Sequence, residues 1–259
     1  MSRKEINKQP IAIVGAGPGD VELITIKGRR LLDEAECIVY AGSLVNKKLL
    51  EGCKADIHDS QGMNLDEIIT ILSTAWKKGQ RVVRLHTGDP SIFGAIKEQM
   101  QQLDALQIPY RVVPGVSSAF GAAAALNAEL TLPEVAQTVI ITRQEGRTPV
   151  PELEKLQLLA SHQTTMLIFL SVSMMDKVVE ELIAGGYPED TPVAIVEKAT
   201  WDDETILTGS LKSIAAQVEQ AGIRKTAMIC VGRVFANTDL EAVSKLYDRS
   251  FSHGTRKAN

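Results

Sequence analysis

The amino-acid sequence predicts an α/β protein with a mainly parallel sheet in its first half and a mixed sheet in its second. Short apolar runs alternate with segments of helical spacing, which is the pattern of βα units. A chain of 259 residues, 44% of them hydrophobic, supplies one large or two modest cores. A polar stretch over 127–137 predicts a linker. We therefore expect an N-terminal domain over 1–126, a C-terminal domain over 138–249 and a polar tail over 250–259.

The first half contains five apolar runs typical of buried strands and four segments with helical spacing. Asn64 and Glu67 stand at the spacing of a capping box, which predicts the start of the second helix. Small residues dominate the fourth helix, and small residues permit close packing against a sheet or a ligand. The predicted strands are 11–14, 37–40, 55–58, 81–86 and 110–113, and the predicted helices are 25–34, 65–77, 92–106 and 117–126.

The second half repeats the alternation, with one difference that predicts a mixed sheet. Only the short turn at Asp202 and Asp203 separates two of its runs, so we expect these to pair antiparallel. The predicted strands are 138–142, 166–170, 193–196, 206–208 and 227–231, and the predicted helices are 151–160, 174–184 and 211–220.

Composition excludes several classes of function. The formal net charge of −4 gives no electrostatic case for a nucleic-acid partner. The first ten residues lack the apolar core of a signal peptide, and the longest weakly polar stretch, 161–175, is shorter than the roughly 20 residues that span a bilayer. We therefore expect a cytoplasmic protein without a membrane partner. The scattered cysteines predict reduced thiols, and the scattered histidines predict no bound metal.

The loop after the first strand, Gly15 to Asp20, resembles a dinucleotide fingerprint but departs from it. Its third glycine comes one position early, and Pro18 removes an N–H from the would-be phosphate cradle. The second strand ends at Tyr40 with no carboxylate for ribose hydroxyls. These departures disfavour an NAD-linked oxidoreductase. A tight turn without a ligand is the plainer alternative for this loop.

Two further loops follow predicted strands at the edge where α/β proteins bind ligands. Gly88 permits close approach of a ligand, and Asp89 either receives an ammonium or hydroxyl group or only caps the next helix. Ser117 and Ser118 either cap the alanine-rich helix or also bind a ligand at its N-terminus.

Arg143 and Arg147 follow the first strand of the second half. They form either a solvated turn or a clamp for the carboxylates of an anionic substrate, a task that suits the planar guanidinium. His86 adjoins the Gly88 loop, and a packed histidine is the favoured reading over a catalytic base. No nucleophile elbow, P-loop or Cys–His pair is present, which argues against hydrolase and nucleotide-triphosphate chemistry.

Four motifs in order make the chain resemble the tetrapyrrole (corrin/porphyrin) methyltransferase family over about residues 10–236. Further motifs at 40–45, 145–152 and 198–201 most resemble the branch that methylates precorrin-4, with or without cobalt, at C11. The resemblance implies two α/β domains with a ligand cleft between them, a homodimer, and S-adenosyl-L-methionine bound in that cleft. The four motifs are Gly15-Ala16-Gly17-Pro18-Gly19-Asp20, Gly88-Asp89-Pro90, Val113-Pro114-Gly115-Val116-Ser117-Ser118 and Val231-Gly232-Arg233-Val234.

The resemblance also implies residue roles. Gly88, Asp89 and Ile92 would line the methionine part of the cofactor, with Pro18, Ser117 and Ser118 on neighbouring loops. The second domain would contribute Leu170, Ala199, Ala227 and Met228 near the adenosine. Arg143 and Arg147 would hold carboxylates of an anionic tetrapyrrole. No catalytic residue is assigned, and methylation of uroporphyrinogen III or another precorrin, or binding without turnover, are the alternatives.

Overall fold

The computed structural model describes residues 9–236, 250–252, 254 and 257. The described chain forms two compact units. The first comprises the residues up to Gly121 together with Thr200–Asp202, and the second comprises Ala122–Ala199 and the described residues from Asp203 onward. Residues 237–249 of the predicted second domain, and half of the predicted polar tail, lie outside the described residues.

The first unit contains a five-stranded, all-parallel sheet with strand order β3-β2-β4-β1-β5. Each predicted strand of this half is present within one residue at either end. The apolar runs of the central strands suit a buried sheet, whereas the edge strand β3 is polar and partly exposed. The strands are β1 (Ile11–Gly15), β2 (Cys37–Tyr40), β3 (Asp56–Asp59), β4 (Val82–His86) and β5 (Tyr110–Val113), and the helices that follow are α1 (Ile26–Asp33), α2 (Leu65–Lys77), α3 (Ile96–Ala105) and α4 (Ser118–Ala125).

Helices cover both faces of this sheet. Leu32 of α1 packs with one face, and Leu72 of α2 and Leu103 of α3 pack with the other; all three are at most 1% exposed. Burial of one such side chain stabilises the fold by roughly 1.5–3 kcal/mol. The side chains of β4 alternate between the faces, with Leu85 on the α1 side and Arg84 on the α2 and α3 side. Such covering on both faces explains why the central strands β2, β4 and β1 are buried throughout.

The start of α2 was predicted correctly, whereas the start of α3 was not. The capping box of α2 is confirmed: Asn64 Oδ1 accepts from Glu67 N at 3.0 Å, and Glu67 Oε2 accepts from Asn64 N at 2.8 Å. The predicted start of α3 at residue 92 is wrong, since the helix begins at Ile96. Phe93 and Ala95 have φ angles of +52° and +47°, so the chain winds through a tight turn before the helix can begin.

The second unit contains a mixed five-stranded sheet with order β6-β7-β10-β8-β9. β6 and β7 are parallel, and every other pairing is antiparallel, including the predicted pair β8 and β9. The predicted helix over 151–160 is too long, because Lys155 is extended (φ −57°, ψ 138°) and the α-helix begins after it. The elements are β6 (Val139–Arg143), α5 (Leu156–Ala160), β7 (Thr165–Phe169), α6 (Met175–Ala184), β8 (Pro192–Glu197), β9 (Thr205–Ser210), α7 (Leu211–Ala221) and β10 (Ala227–Val231).

A buried cluster joins α5, α6 and α7 to the strands of this sheet. Met166 and Ile168 of β7, Val178 of α6 and Ile214 of α7 are all fully buried in it. Within the described residues, no helix is both long enough and apolar enough to cross a membrane.

Candidate functional site

Three loops meet at the carboxyl edge of the first sheet. They follow β4, β1 and β5, which are neighbours in the strand order. Gly17 and Gly88 form an isolated bridge, with Gly88 N donating to Gly17 O at 2.8 Å and Gly17 N donating to Gly88 O at 3.3 Å. Backbone hydrogen bonds therefore join the loops after β1 and β4 to each other.

Glycine is required where these loops converge. A Cβ on Gly15 would lie 2.6 Å from the carbonyl oxygen of Gly88, and a Cβ on Gly115 would lie 2.2 Å from the same oxygen. Gly88 itself has φ +56°, and the nearest atoms on its Cβ side, Ser118 N and Oγ, are 3.6 Å away. Backbone thus packs on backbone where these loops meet. At Gly88 a Cβ would be in ordinary van der Waals contact with Ser118, and it is the left-handed φ angle that favours glycine there.

Asp89 ties two of the loops together. Its Oδ2 accepts from Gly115 N at 3.0 Å, and its Oδ1 accepts from Ser91 N at 2.8 Å and from the Ser91 hydroxyl. Partial burial works to raise the pKa of Asp89, but the hydrogen bonds from Ser91 and Gly115 together outweigh it and lower that pKa. The carboxylate is therefore ionised at neutral pH, and within the described chain it accepts three of the roughly four hydrogen bonds that a carboxylate can accept. It caps the turn before α3 and not the helix itself.

The glycine loop after β1 does not open a helix. Asp20 caps a single 3₁₀ turn, accepting from Glu22 N at 2.9 Å, and α1 begins only at Ile26. A dinucleotide site needs a helix N-terminus directly at this loop. The helix position thus agrees with the spacing of the glycines in arguing against an NAD site.

Residues from far along the chain hold the same loop. Trp201 Nε1 donates to Pro18 O at 2.9 Å, and Thr200 Oγ1 accepts from Asp20 N at 3.0 Å. The sequence analysis assigned no role to Thr200 or Trp201. The only signal was their place in the motif at 198–201, next to Ala199, which was carried over from the family.

Ser117 and Ser118 stand at the start of α4, as expected. Ser117 is buried, and its Oγ accepts from Ala119 N at 3.3 Å, which satisfies one of the free N–H groups of the helix. Ser118 faces Gly88, whereas Ile92, partly buried, lies in the turn closed by Asp89. The structure therefore brings together the six first-half residues predicted to bind the cofactor, within or beside these three loops.

The four second-half residues lie at one edge of the second sheet. Leu170 directly follows β7, Ala199 follows β8 by two residues, and Ala227 and Met228 begin β10, which runs antiparallel to both. The side chain of Leu170 is 67% exposed, whereas Ala199 and Met228 are buried.

The backbone at this edge is strained. Leu170, Lys198 and Thr226 have φ angles of +56°, +50° and +56°, and Lys198 N donates to Thr226 O at 2.8 Å. Left-handed conformations cost non-glycine residues roughly 1–2 kcal/mol each. Strain of this kind concentrates at ligand sites, where it holds groups in place.

The two arginines after β6 have different surroundings. Arg143 clasps its own loop, with Nη1 donating to Thr148 O at 3.1 Å and Nη2 donating to Pro149 O at 2.7 Å. Arg147, at the tip of that loop, is exposed and has no hydrogen bond or ion pair within the described chain. Arg143 thus shapes the loop, whereas the guanidinium of Arg147 is open to solvent.

His86 is unsuited to acid–base work at this edge. Burial, and to a lesser degree the charge of Arg84, lower the pKa of His86 to about 3, although Gln99 opposes the shift. The imidazole is therefore neutral at physiological pH and a poor base. Among the described residues, no group of three metal-ligating side chains lies together.

Comparison with known proteins gives consistent matches. Residues 10–215 match the family model of the tetrapyrrole (corrin/porphyrin) methylases. A Methanocaldococcus jannaschii protein named cobalt-precorrin-4 C(11)-methyltransferase is 60% identical over 98% of both chains. A solved structure of a cobalamin biosynthetic enzyme, cobalt precorrin-4 methyltransferase, aligns with TM-score 0.86 and 46% identity over 91% of this chain and 99% of that one. Uroporphyrin-III C-methyl transferase from Thermus thermophilus, complexed with S-adenosylhomocysteine, aligns with TM-score 0.73 and 27% identity over 87% and 98%.

Proposed function

Because this chain belongs to the tetrapyrrole (corrin/porphyrin) methylase family, we propose that it transfers a methyl group from S-adenosylmethionine to C11 of cobalt-precorrin-4 in cobalamin biosynthesis. The observation that carries the proposal is the 60% identity to a protein of that name, which extends over 98% of both chains.

The residues of the first-sheet edge suit S-adenosylmethionine. Gly88 presents backbone without a side chain at this edge, and the Asp89 carboxylate, which accepts hydrogen bonds from Ser91 and Gly115, has the charge that suits an ammonium group. In the second unit, the exposed side chain of Leu170 offers an apolar surface of the kind an adenine ring contacts. The location of the cofactor in a cleft between the two domains stays a prediction.

The reaction asks little acid–base chemistry of the protein. S-adenosylmethionine supplies a methyl group already activated on a sulfonium, so displacement by a ring carbon needs alignment and exclusion of water. The loops that carry Gly17 and Gly88 are bridged to each other, and Asp89 accepts a hydrogen bond from Gly115 N. These contacts fix the backbone against which the cofactor would be aligned. The neutral His86 fits the same view, since no base with a pKa near 7 is needed.

The anionic substrate accounts for the arginine loop. We expect Arg147 to contact a carboxylate of the tetrapyrrole and Arg143 to hold the loop that presents it. A cobalt-free precorrin, uroporphyrinogen III and another precorrin stay as alternative substrates.

A homodimer in the cytoplasm belongs to the same proposal. Val112 on the edge strand β5 and Phe120 on α4 are 41% and 56% exposed, and exposed apolar side chains of this kind suit a subunit interface. Light scattering of the purified protein tests the dimer: a monomer mass would remove this part of the proposal and leave the activity intact.

Ligand binding followed by product analysis tests the activity. S-adenosylhomocysteine at 100 times its dissociation constant should stabilise the protein by about 2.7 kcal/mol, whereas NAD should not. Incubation with S-adenosylmethionine and cobalt-precorrin-4 should add one methyl group by mass, located at C11 by carbon NMR. Stabilisation by NAD alone would favour an oxidoreductase, and cofactor binding without methyl transfer would favour a protein that binds the cofactor without turnover.

A further inference from the structure

Arg84 is a buried charge whose hydrogen-bonding partners are all neutral. Its side chain is 5% exposed on the central strand β4. Nε donates to Gln99 Oε1 at 3.1 Å, and Nη1 donates to Val39 O at 3.2 Å and to Ser60 Oγ at 3.1 Å. Burial of an ion that lacks an opposite charge is costly, so a residue of this kind calls for a reason other than stability.

The carboxylate next to Ser60 in the sequence does not supply the missing charge. Asp59 precedes Ser60, but its Oδ2 accepts from the Tyr40 hydroxyl at 2.8 Å and its Oδ1 accepts from Gln61 N at 2.9 Å. Burial alone lowers the pKa of Arg84, to about 10, and no anion acts to raise it. The guanidinium is therefore charged at neutral pH and lacks a counter-ion within the described residues.

The Nη2 end of the Arg84 guanidinium is available to bind a ligand. Within the described chain Nη2 has no hydrogen-bond partner, and it is not among the side-chain atoms that are wholly shielded from solvent without a partner. The three engaged contacts fix the orientation of the group, with Gln99 on one side and Ser60 on the other. The free N–H groups thus belong to a preorganised fork, which is the geometry that binds carboxylate oxygens.

His86 lies beside this group with an unused polar atom of its own. It is two residues from Arg84 on the same strand, so both side chains lie on one face of the sheet. Its Nε2 is buried and has no hydrogen-bond partner within the described residues. Two unsatisfied polar groups therefore lie on β4 directly before Gly88, on a strand whose other buried side chains are apolar.

We propose that Arg84, oriented by Gln99 and Ser60 and flanked by His86, binds a carboxylate of the tetrapyrrole substrate. The site would lie towards the carboxyl ends of the neighbouring strands β3, β2 and β4. The inference rests on the proposed function, because that substrate supplies the carboxylate. A carboxylate here provides the charge that Arg84 lacks, and it does so in a poorly solvated place where the attraction is strong. Arg84 is then a substrate-binding residue separate from Arg147, which lies in the other unit.

Two substitutions test the proposal against a matched control. Arg84→Met removes the charge with similar volume, and Arg84→Lys keeps a charge but removes the fork. Arg81→Met is the control, since Arg81 precedes the same strand and pairs with Glu36 at the opposite edge. For each variant we would measure the Kd of S-adenosylhomocysteine, the Kd of cobalt-precorrin-4 with S-adenosylhomocysteine present, and kcat and KM for methyl transfer.

The expected result is a split between the two ligands. Arg84→Met should raise the Kd and KM for the tetrapyrrole by about ten- to a hundredfold, the range for a charge-assisted hydrogen bond, and Arg84→Lys by about tenfold. The Kd of S-adenosylhomocysteine and kcat at saturating substrate should stay within about twofold of the wild type, as should every value for Arg81→Met.

A purely structural role for Arg84 gives a different pattern. Both ligands would then weaken together with the melting temperature, or the tetrapyrrole KM would stay unchanged in Arg84→Lys, and either result overturns the proposal. Should Arg84→Met not fold, Arg84→Lys decides by itself. A wild-type protein that binds S-adenosylhomocysteine but transfers no methyl group would instead refute the proposed function, and this inference with it.

Discussion

The indole ring of Trp201 lies directly against Gly19, so closely that residue 19 has no room for a side chain. A Cβ there would lie 2.1 Å from Trp201 Cδ1 and 2.4 Å from Nε1. The same Nε1 donates to Pro18 O, and Asn46 Nδ2 donates to Gly19 O at 2.9 Å. The glycine loop is therefore held from two sides in the first unit, by a tryptophan and by an asparagine.

Gly19→Ala should accordingly loosen this loop. The added methyl must displace the indole, which breaks the hydrogen bond to Pro18, so we expect a loss of about 1–3 kcal/mol in the free energy of unfolding. Urea denaturation measures the loss, and the Kd of S-adenosylhomocysteine should rise in parallel if Pro18 contacts the cofactor.

A double-mutant cycle separates the indole from other effects of the alanine. In a Trp201→Ala background, Gly19→Ala should cost less than half as much, because the clashing ring is gone. Gly146→Ala is the matched control, since the nearest atoms to its new Cβ are at an ordinary 3.4 Å. Equal costs in both backgrounds would show that the contact with Trp201 is not the cause.

The sequence predicted the regular elements well because local patterns determine them. The apolar runs of β1 and β2 are buried throughout, and the Asn64 and Glu67 pair is read from spacing alone. The late start of α3 was missed because left-handed angles at Phe93 and Ala95 have no signal in the residue types.

The site was predicted in part for the same reason. Glycines after strands are visible in the sequence, so Gly88 and its neighbours could be found. The contact between Trp201 and Pro18 joins residues 183 positions apart, and no periodicity reports a contact of that kind. The neutral surroundings of Arg84 depend on which groups α3 and the β3 loop place beside it, and they too are visible only in the fold.

Asp89→Asn should destabilise the protein in a pH-dependent way. The folded-state pKa of Asp89 lies below its unfolded value, so its contribution to stability is present above about pH 4 and is lost as pH falls through the folded-state pKa. The difference in urea midpoint between wild type and Asp89→Asn should be constant from about pH 7 to 5 and shrink below about pH 4. A difference that stays constant down to the pH at which the protein unfolds in acid would contradict the role of the ionised carboxylate.

His86 should stay neutral where an ordinary histidine gains a proton. Its folded-state pKa of about 3 lies below the unfolded value near 6.5, so the unfolded chain protonates first and His86 lowers stability as pH falls below about 6.5. Nitrogen-15 NMR, assigned with a His86→Gln variant, should show a neutral ring down to about pH 4.5. A midpoint near 6.5 would mean that the ring is solvated or has an acidic partner.

Arg147→Glu should weaken substrate binding and leave the rate of methyl transfer from the bound state nearly unchanged. Repulsion between the new carboxylate and the substrate should raise KM at least about tenfold with little change in kcat, since the arginine binds and does not react. Lys212→Glu, an equal charge reversal on the exposed side of α7, should leave KM unchanged. Equal effects of both variants would point to the net charge of the protein and remove the specific role of Arg147.

Leu170→Gly should make the protein more stable and a poorer binder of S-adenosylmethionine. Glycine relieves the left-handed strain at φ +56°, and little burial is lost because the side chain is 67% exposed, so we expect a gain of up to about 1 kcal/mol. The lost apolar contact should raise the Kd of S-adenosylhomocysteine severalfold. Gln163→Gly is the matched control, because Gln163 is also exposed and left-handed (φ +46°) but precedes β7 and so lies at the opposite end of that strand. It should gain similar stability with the Kd unchanged, whereas an unchanged Kd in both variants would remove Leu170 from the cofactor site.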